Sequence, residues 1–414
     1  MKDKKLNFID LFAGAGGLSE GFIVTGFIPI AHVEMNKYAC DTLKTRTCYY
    51  YLKENNKLDR YYAYIKGEIN QKQLYALIPN DLLDTVINVE VSNDTIQDIF
   101  GRIDSIIEKS NFNEVDVIVG GPPCQAYSLV GRAVDRNGMK DDDRNFLYKQ
   151  YIKFLKKYSP KMFIFENVPG ILTANGGKTY KNIIAYFKRV GYEVEQKILN
   201  AYDFGVLQNR KRVIIVGWKK GSEFRYPVFD KIETDAIVED ILKDLSPIQP
   251  GEKKNQYSCN TNKYLTWSGI RKCEDVLTLH ECRKHNERDR KIYEYVIKAW
   301  SEGQIRLKYT DLPESLCTHK NRKAFLDRFK VVAADMPYSH TMLAHISKDG
   351  HYFIHPDIKQ CRSISVREAA RIQSFPDNYF FEGPRTAIFA QIGNAVPPLM
   401  GKEIARKIKK MING

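Results

Sequence analysis

Short runs of largely apolar residues, rich in β-branched and aromatic side chains, recur along the chain and end abruptly at polar residues, glycine or proline. Such runs lie at residues 7–12, 27–33, 117–119, 162–165 and 213–217. Short apolar runs are typical of parallel strands that helices cover on both faces. The pattern therefore predicts an α/β fold with an open sheet, whose ligands bind beyond the carboxyl ends of the strands.

The first run leads into a turn that contains Gly14, Gly16 and Gly17 and then into a predicted helix. Glycine lets the backbone approach a ligand closely, and the amino terminus of the next helix offers N–H groups to an anion. Glu34 follows the second run, about 20 residues beyond the glycines, where a carboxylate can bind ribose hydroxyls. This spacing predicts an adenosine-containing ligand. The alternative is an ordinary strand, turn and helix.

A cysteine follows the third run. The run ends at Gly120 and Gly121, and Pro122 and Pro123 force the chain out of the sheet just before Cys124. Cys124 is therefore predicted at the carboxyl edge of the sheet, where chemistry takes place in open α/β sheets. The alternative is a buried, inert thiol.

Charged side chains border the last two runs. Glu166 ends the run at 162–165, and a carboxylate in this position usually caps the next helix or takes part in chemistry. Arg210 and Arg212 come directly before the run at 213–217. A solvated hairpin tip is the alternative for these arginines.

Residues 43–113 are predicted to form a helical insertion rich in tyrosine and lysine. Aromatic rings beside lysines could stack on bases. We favour the other interpretation, in which the tyrosines pack a helical hairpin and keep their hydroxyls at the surface. Near the end of the insertion, Asp94 precedes Ile96 and could receive an adenine amino group at the end of a third strand.

Composition and charge indicate the class of partner molecule and the cellular compartment. The chain has 414 residues, so two domains are expected, and its formal net charge of +14 favours a polyanionic partner such as nucleic acid. Its 8 cysteines, with neither a signal peptide nor a membrane-spanning apolar run, indicate a reducing cytoplasm. Cys273, His280, Cys282 and His285 do not have the spacing of a zinc site, so no metal is predicted.

Taken together, these segments resemble the cytosine-5 DNA methyltransferase family of bacterial restriction–modification type. The family's cofactor motif is matched at residues 10–17, its nucleophile motif at 120–125, its acid motif at 166–168 and its Gln-x-Arg-x-Arg motif at 208–212. Two carboxyl-terminal signatures are matched at 362–376 and 391–398. The resemblance covers roughly residues 6–42, 93–218 and 338–410.

The resemblance implies a doubly wound, Rossmann-like S-adenosylmethionine-dependent methyltransferase domain and a smaller, variable target-recognition domain. We expect the catalytic domain at residues 1–225, the recognition domain and hinge at 226–379, and a return segment at 380–414 that completes the cofactor site. The residues implied to bind S-adenosylmethionine are Asp10, Phe12, Ala13, Gly14, Gly16, Gly17, Leu18, Glu34, Met35, Asp94, Ile96, Pro122, Leu147, Asn394, Ala395 and Val396.

The implied reaction is methyl transfer to carbon 5 of a cytosine flipped out of duplex DNA. Cys124 would add to carbon 6 so that carbon 5 becomes nucleophilic, and Glu166 would bind ring nitrogen 3 and the exocyclic amine. Arg212 would bind oxygen 2 of the base and Arg210 a flanking phosphate. We expect a cytoplasmic, nucleoid-associated monomer with no membrane contact, serving beside a cognate restriction endonuclease.

Two alternatives belong to other functional classes. The transfer-RNA-methylating branch of the family shares the Pro-Pro-Cys nucleophile but has a short recognition region, whereas the interval from Gly217 to Arg362 is long here. A catalytically inactive DNA-binding or cofactor-sensing module would be expected to lack Cys124, Glu166 or an arginine of the 208–212 motif. All of these residues are present.

Overall fold

A computed structural model describes residues 5–110, 112–122 and 147–414 of the chain. Within these ranges a seven-stranded sheet has the order β3-β2-β1-β4-β5-β7-β6. The first five strands in this order run parallel, and β7 is antiparallel to both β5 and β6. The strands are β1 (Asn7–Leu11), β2 (Ile28–Glu34), β3 (Val86–Asn88), β4 (Val117–Gly120), β5 (Met162–Asn167), β6 (Tyr192–Asn200) and β7 (Lys211–Lys219).

Helices, numbered among the described residues, cover both faces of the sheet, as expected for a doubly wound fold. They are α1 (Gly17–Val24), α2 (Lys37–Glu54), α3 (Leu58–Ile65), α4 (Gln71–Tyr75), α5 (Asn80–Leu83), α6 (Ile96–Lys109), α7 (Leu147–Tyr158), α8 (Lys178–Arg189), α9 (Lys263–Ser268), α10 (Glu287–Gly303), α11 (Val366–Ile372), α12 (Arg385–Asn394) and α13 (Pro398–Asn413). Short 3-10 turns lie at Pro169–Leu172, Ala174–Gly177, Ala201–Phe204, Val238–Ile241, Tyr309–Asp311, Glu314–Leu316, Lys323–Phe325 and Ala344–Ser347. None of the helices that the structure describes has the length and apolar character needed to cross a membrane.

Successive strand residues point to opposite faces and so build two separate apolar cores. In β4, Ile118 joins a core formed with α6, α7 and α8, whereas Val117 and Val119 join a core formed with α1 and α13. All three side chains are buried. This two-sided burial explains why the strands appear in the sequence as continuous apolar runs.

The carboxyl-terminal helix α13 packs against α1 at backbone distance. A Cβ atom on Gly21 would lie 2.2 Å from the carbonyl carbon of Gly401, a separation that real Cβ atoms do not reach. Glycine at position 21 therefore allows two helices from opposite ends of the chain to lie side by side. The contact holds the last helix against the first βα unit.

The tyrosine-rich region is more than a helical insertion, because β3 lies within it and pairs with β2 in the sheet. Its rings do pack together, and those of Tyr49 and Tyr61 lie 5.1 Å apart in an edge-to-face arrangement. The hydroxyls of Tyr61 and Tyr64 turn inward, however, rather than toward the surface. Tyr61 donates to the carbonyl of Asn378 at 2.7 Å and Tyr64 to the carboxylate of Glu382 at 2.7 Å.

Between β7 and α12 the described chain is mostly irregular, and buried ion pairs organise it. Arg371 donates to the carboxylates of both Asp244 and Asp377, while Arg362 binds both carboxylate oxygens of Glu368 at 2.7 Å. Removing one partner of such a network leaves a buried charge, which is strongly destabilising. One apolar cluster of this region runs from residues before 379 to residues after it, so the domain division at 379/380 stays a prediction.

We predict that Gly21→Ala lowers the free energy of unfolding by about 1–3 kcal/mol, because the new methyl group has no room between α1 and α13. Gly101→Ala is the matched control, since Gly101 lies within α6 and a Cβ atom there would meet nothing within 4 Å in the part of the chain that the structure describes. This control should stabilise the protein by about 0.5–1 kcal/mol. Urea denaturation of the three proteins measures both changes, and equal midpoints for Gly21→Ala and the wild type would contradict the packing argument.

Candidate active site

The glycine-rich turn after β1 is bound to the end of β2. Phe12 and Gly14 have positive φ angles of 57° and 54°, so the backbone reverses sharply before α1. The N–H of Gly14 donates to Oε2 of Glu34 at 2.8 Å, and the N–H of Asn36 donates to Oε1 at 2.8 Å. Glu34 thus lies directly beside the glycine turn, at the carboxyl edge of the sheet.

The returning segment lies on the other side of the same turn. A Cβ atom on Gly17 would lie 2.1 Å from the carbonyl oxygen of Val396 and 3.1 Å from Cβ of Ala395. Where a Cβ atom of Gly14 would point, by contrast, none of the described residues has an atom within 4 Å. The turn is therefore closed behind Gly17 and open at Gly14, which leaves space for a ligand next to Glu34.

The other residues predicted to bind the cofactor differ in exposure. Asp10, Leu18 and Ile96 are buried, and the side chains of Leu18 and Ile96 belong to the apolar cores, so these two support the turn from behind. Phe12, Ala13 and Leu147 are half-buried, and Pro122 is buried. Met35, Asp94 and Asn394 are exposed.

Asp10 is the titratable group at the base of the turn. Its carboxylate accepts a hydrogen bond from the Ser19 hydroxyl, and only 1% of the residue is exposed. Burial raises the pKa of Asp10 to about 7, although the Ser19 hydrogen bond opposes the shift. Asp10 therefore joins β1 to α1 from inside the protein.

A carboxylate and a guanidinium meet where β5 and β7 pair. Nε of Arg212 lies 2.7 Å from Oε1 of Glu166, and both side chains are largely buried. Gly121 passes directly beside this ion pair, because a Cβ atom on it would lie 2.1 Å from the Glu166 carbonyl oxygen and 3.0 Å from Oε2. The amide of Asn167 also donates to the carbonyl of Pro122 at 3.3 Å. Cys124 stands two residues after Pro122 in the sequence and is outside the described residues.

Arg210 occupies a different environment from Arg212. It is fully buried, and its two terminal nitrogens donate to the carbonyls of Met342 at 2.6 Å and Gly393 at 3.0 Å. Burial, with Arg212 nearby, holds the pKa of Arg210 well below its usual range. This placement argues against the predicted phosphate contact, because the guanidinium is enclosed by protein and joins two distant segments of the chain.

Two glutamines complete this connection, and sequence reasoning gave neither of them a role. Nε2 of Gln208 donates to Oε1 of Gln373 at 2.7 Å, and Nε2 of Gln373 donates to the carbonyls of Ile392 at 2.6 Å and Ala395 at 3.2 Å. The pair therefore links the arginine motif to the segment behind Gly17. Both glutamines stand in matched family motifs, which was the signal available in the sequence.

Comparison with known proteins decides the family. The sequence profile of C-5 cytosine-specific DNA methylases matches residues 6–74 and 86–410. The chain belongs to this family. Membership confirms the predicted DNA cytosine-5-methyltransferase activity and agrees with the side chains gathered at the carboxyl edge of the sheet.

Relatives match over nearly the whole chain. The Type II methyltransferase M.Bpa9945I of Bacillus paralicheniformis is 43% identical over 98% of this chain and 99% of its own length. The Type II methyltransferase M1.HphI of Haemophilus parahaemolyticus is 30% identical over 98% of this chain and 87% of its own. A solved putative DNA modification methyltransferase encoded in an E. coli prophage shares the fold, with a TM-score of 0.65, 21% identity and coverage of 99% of this chain and 100% of its own.

We predict that Asp10 makes a contribution to stability that is lost as the pH rises from about 4 to about 7, because folded Asp10 keeps a proton that the unfolded chain releases near pH 4. Asp10→Asn lacks this titration. The variant should therefore gain up to about 4 kcal/mol relative to the wild type between pH 4.5 and pH 8. Urea denaturation at both pH values measures the gain, with the exposed Asp98→Asn as control, and parallel pH profiles for wild type and Asp10→Asn would disprove it.

Proposed function

We propose that the chain is the modification enzyme of a restriction–modification system, in which Glu166 and Arg212 hold the flipped cytosine and Cys124 attacks it. The observation that carries these roles is the Glu166–Arg212 ion pair, which lies beside Gly121, three residues before Cys124 in the sequence. Strand pairing fixes both partners, since Glu166 and Arg212 stand on the neighbouring strands β5 and β7.

The chemistry of cytosine requires these two groups side by side. The exocyclic amine, ring nitrogen 3 and oxygen 2 follow one another along the Watson–Crick edge, so a carboxylate facing the first two places a neighbouring guanidinium at oxygen 2. Oε1 of Glu166 is engaged by Nε of Arg212, which leaves Oε2 toward Gly121. Low exposure strengthens every hydrogen bond made there.

Cys124 supplies the nucleophile in this proposal. Carbon 5 of cytosine is a poor nucleophile, but a thiolate that bonds to carbon 6 turns the ring into an enamine that is nucleophilic at carbon 5. Glu166 stabilises this step by holding a proton at nitrogen 3. After carbon 5 is methylated, loss of its proton allows the carbon–sulfur bond to break and restores the thiolate.

The residues of the glycine turn fit S-adenosylmethionine, which supplies the methyl group when bound. The open space at Gly14 admits a ligand, and the carboxylate of Glu34 can accept ribose hydroxyls in addition to its two backbone N–H donors. Ala395 and Val396 close the turn behind Gly17. Phe12 would face the adenine, and the buried Asp10, Leu18 and Ile96 would keep the turn in shape.

The names of the relatives support a restriction–modification role, since several of them are Type II methyltransferases. Duplex DNA is the proposed partner, in keeping with the net charge of +14, and residues 226–379 are the proposed region of sequence recognition. A cognate endonuclease would share that recognition sequence. The transfer-RNA branch is disfavoured because the matching profile is that of DNA methylases.

We predict that Glu34→Ala raises the dissociation constant of S-adenosylhomocysteine about 10- to 100-fold, because a charge-assisted contact worth about 1.5–3 kcal/mol is lost. Glu34→Gln keeps an acceptor oxygen but not the charge. Its dissociation constant should therefore lie between those of the wild type and Glu34→Ala. The exposed Glu90→Ala is the control, and DNA affinity should stay within twofold in every variant. Calorimetric titration tests this, and identical curves for Glu34→Ala and the wild type would remove Glu34 from the cofactor site.

We predict that duplex DNA carrying 5-fluorocytosine at the target traps the wild-type protein covalently when S-adenosylmethionine is present. Fluorine cannot leave carbon 5 as a proton does, so the sulfur stays on carbon 6. Cys124→Ser should bind the DNA but form no adduct, and Glu166→Gln should form it about 10²–10⁴ times more slowly. A denaturing gel measures the adduct, and bisulfite sequencing of cellular DNA first identifies the target.

The matched control for this experiment is Cys273→Ser, because Cys273 is an exposed thiol distant in sequence from the proposed nucleophile. It should be trapped as fast as the wild type. A cofactor-dependent adduct with Cys124→Ser, or no adduct with an active wild type, would show that another group attacks the base.

A further inference from the structure

A deep trench between α1 and α2 lies apart from the proposed cofactor and base sites. Its walls come from α1, α2, the start of β2, the start of α13 and the loops at 268–272 and 374–379. Of the residues proposed to bind S-adenosylmethionine, only Gly16 reaches the trench. Its volume of about 820 Å³ falls within the range of small-molecule sites.

A buried histidine lines the trench without a hydrogen-bond partner. His32 is only 2% exposed, and neither of its ring nitrogens has a partner among the described residues. Burial lowers the pKa of His32 to about 4, so the ring is neutral near pH 7 and offers one donor and one acceptor. Buried polar groups of this kind are normally satisfied, and the ring nitrogens of His32 are covered by neighbouring groups. A ligand that displaces this cover from the trench side would complete the hydrogen bonding of His32.

The remaining lining is aromatic and apolar inside and basic at the rim. Phe27, Leu43 and the tyrosines of α2 form the walls. Glu20 is neutralised by Arg46, with which it forms a buried ion pair. The exposed ammonium groups of the rim outnumber its free carboxylate, Glu54, and have no ion-pair partner among the described residues. They belong to Lys5, Lys53, Lys272 and Lys402.

We infer that this trench is a second ligand site, which binds a small molecule with a flat aromatic body and one anionic group. The aromatic body packs between α1 and α2 and presents a polar atom to His32. A carboxylate, sulfonate or phosphate remains at the mouth near the lysines. In ligand pockets the apolar lining supplies most of the affinity, and a few convergent polar groups fix the orientation of the ligand.

The test uses 8-anilinonaphthalene-1-sulfonate, an aromatic sulfonate that fluoresces when it leaves water, with the full chain and saturating S-adenosylhomocysteine. We expect one saturable site. Val24→Trp fills the trench from an exposed position on α1 and should weaken binding at least tenfold, whereas Val228→Trp, at an exposed position outside the trench, should not. Lys402→Glu should weaken it at least fivefold, whereas Lys410→Glu, on the same helix but outside the trench, should leave it unchanged.

A second measurement follows the ring of His32 itself. In protein with labelled histidines, the Cε1–H signal of His32, identified by its absence in His32→Phe, should shift as the probe binds. The proposal is overturned if binding is not saturable, if Val24→Trp binds as the wild type does, or if the His32 signal does not move. Equal affinity for uncharged N-phenyl-1-naphthylamine would overturn the assignment of an anion.

Discussion

The structure depends on close backbone contact between the first βα unit and the last segment of the chain. Gly17 against Val396 and Gly21 against Gly401 leave no space for a side chain between them. The contact closes the glycine turn from behind and brings residues 394–396 to the carboxyl edge of the sheet. The proposed cofactor site draws on both ends of a 414-residue chain and would be complete only when this packing has formed.

Buried polar side chains extend the same connection to the proposed base-binding residues Glu166 and Arg212. Arg210 ends on the carbonyls of Met342 and Gly393, and Gln208 reaches Ala395 through Gln373. Unsatisfied backbone carbonyls are costly inside a protein, so these contacts fix the segments that they join. The ion pair of Arg212 and the segment behind Gly17 consequently share one rigid support, which suits a reaction whose two reactants must be held in line.

The tyrosines of α2 and α3 pack inside the protein, although the segment is rich in polar side chains. Their rings pack on one another, and the hydroxyls of Tyr61 and Tyr64 on α3 bind acceptors from the far end of the chain. This packing holds α2 beside the glycine turn while the trench stays open between α2 and α1. The same helix thus supports one site and lines the inferred second one.

The positions of most strands, and the residues at their carboxyl ends, could be predicted from the sequence alone, because strand periodicity and termination are local properties. The apolar runs became β1, β2, β4, β5 and β7, and Glu34 and Glu166 stand at strand ends as expected. Only the tertiary structure showed that Arg210 and Arg212 have different environments, since the hydrogen-bond partners of Arg210 lie 132 and 183 residues further along the chain. It also buried Leu18 and Ile96 in the apolar cores and left His32 without a partner among the described residues, because burial depends on which helix covers each position.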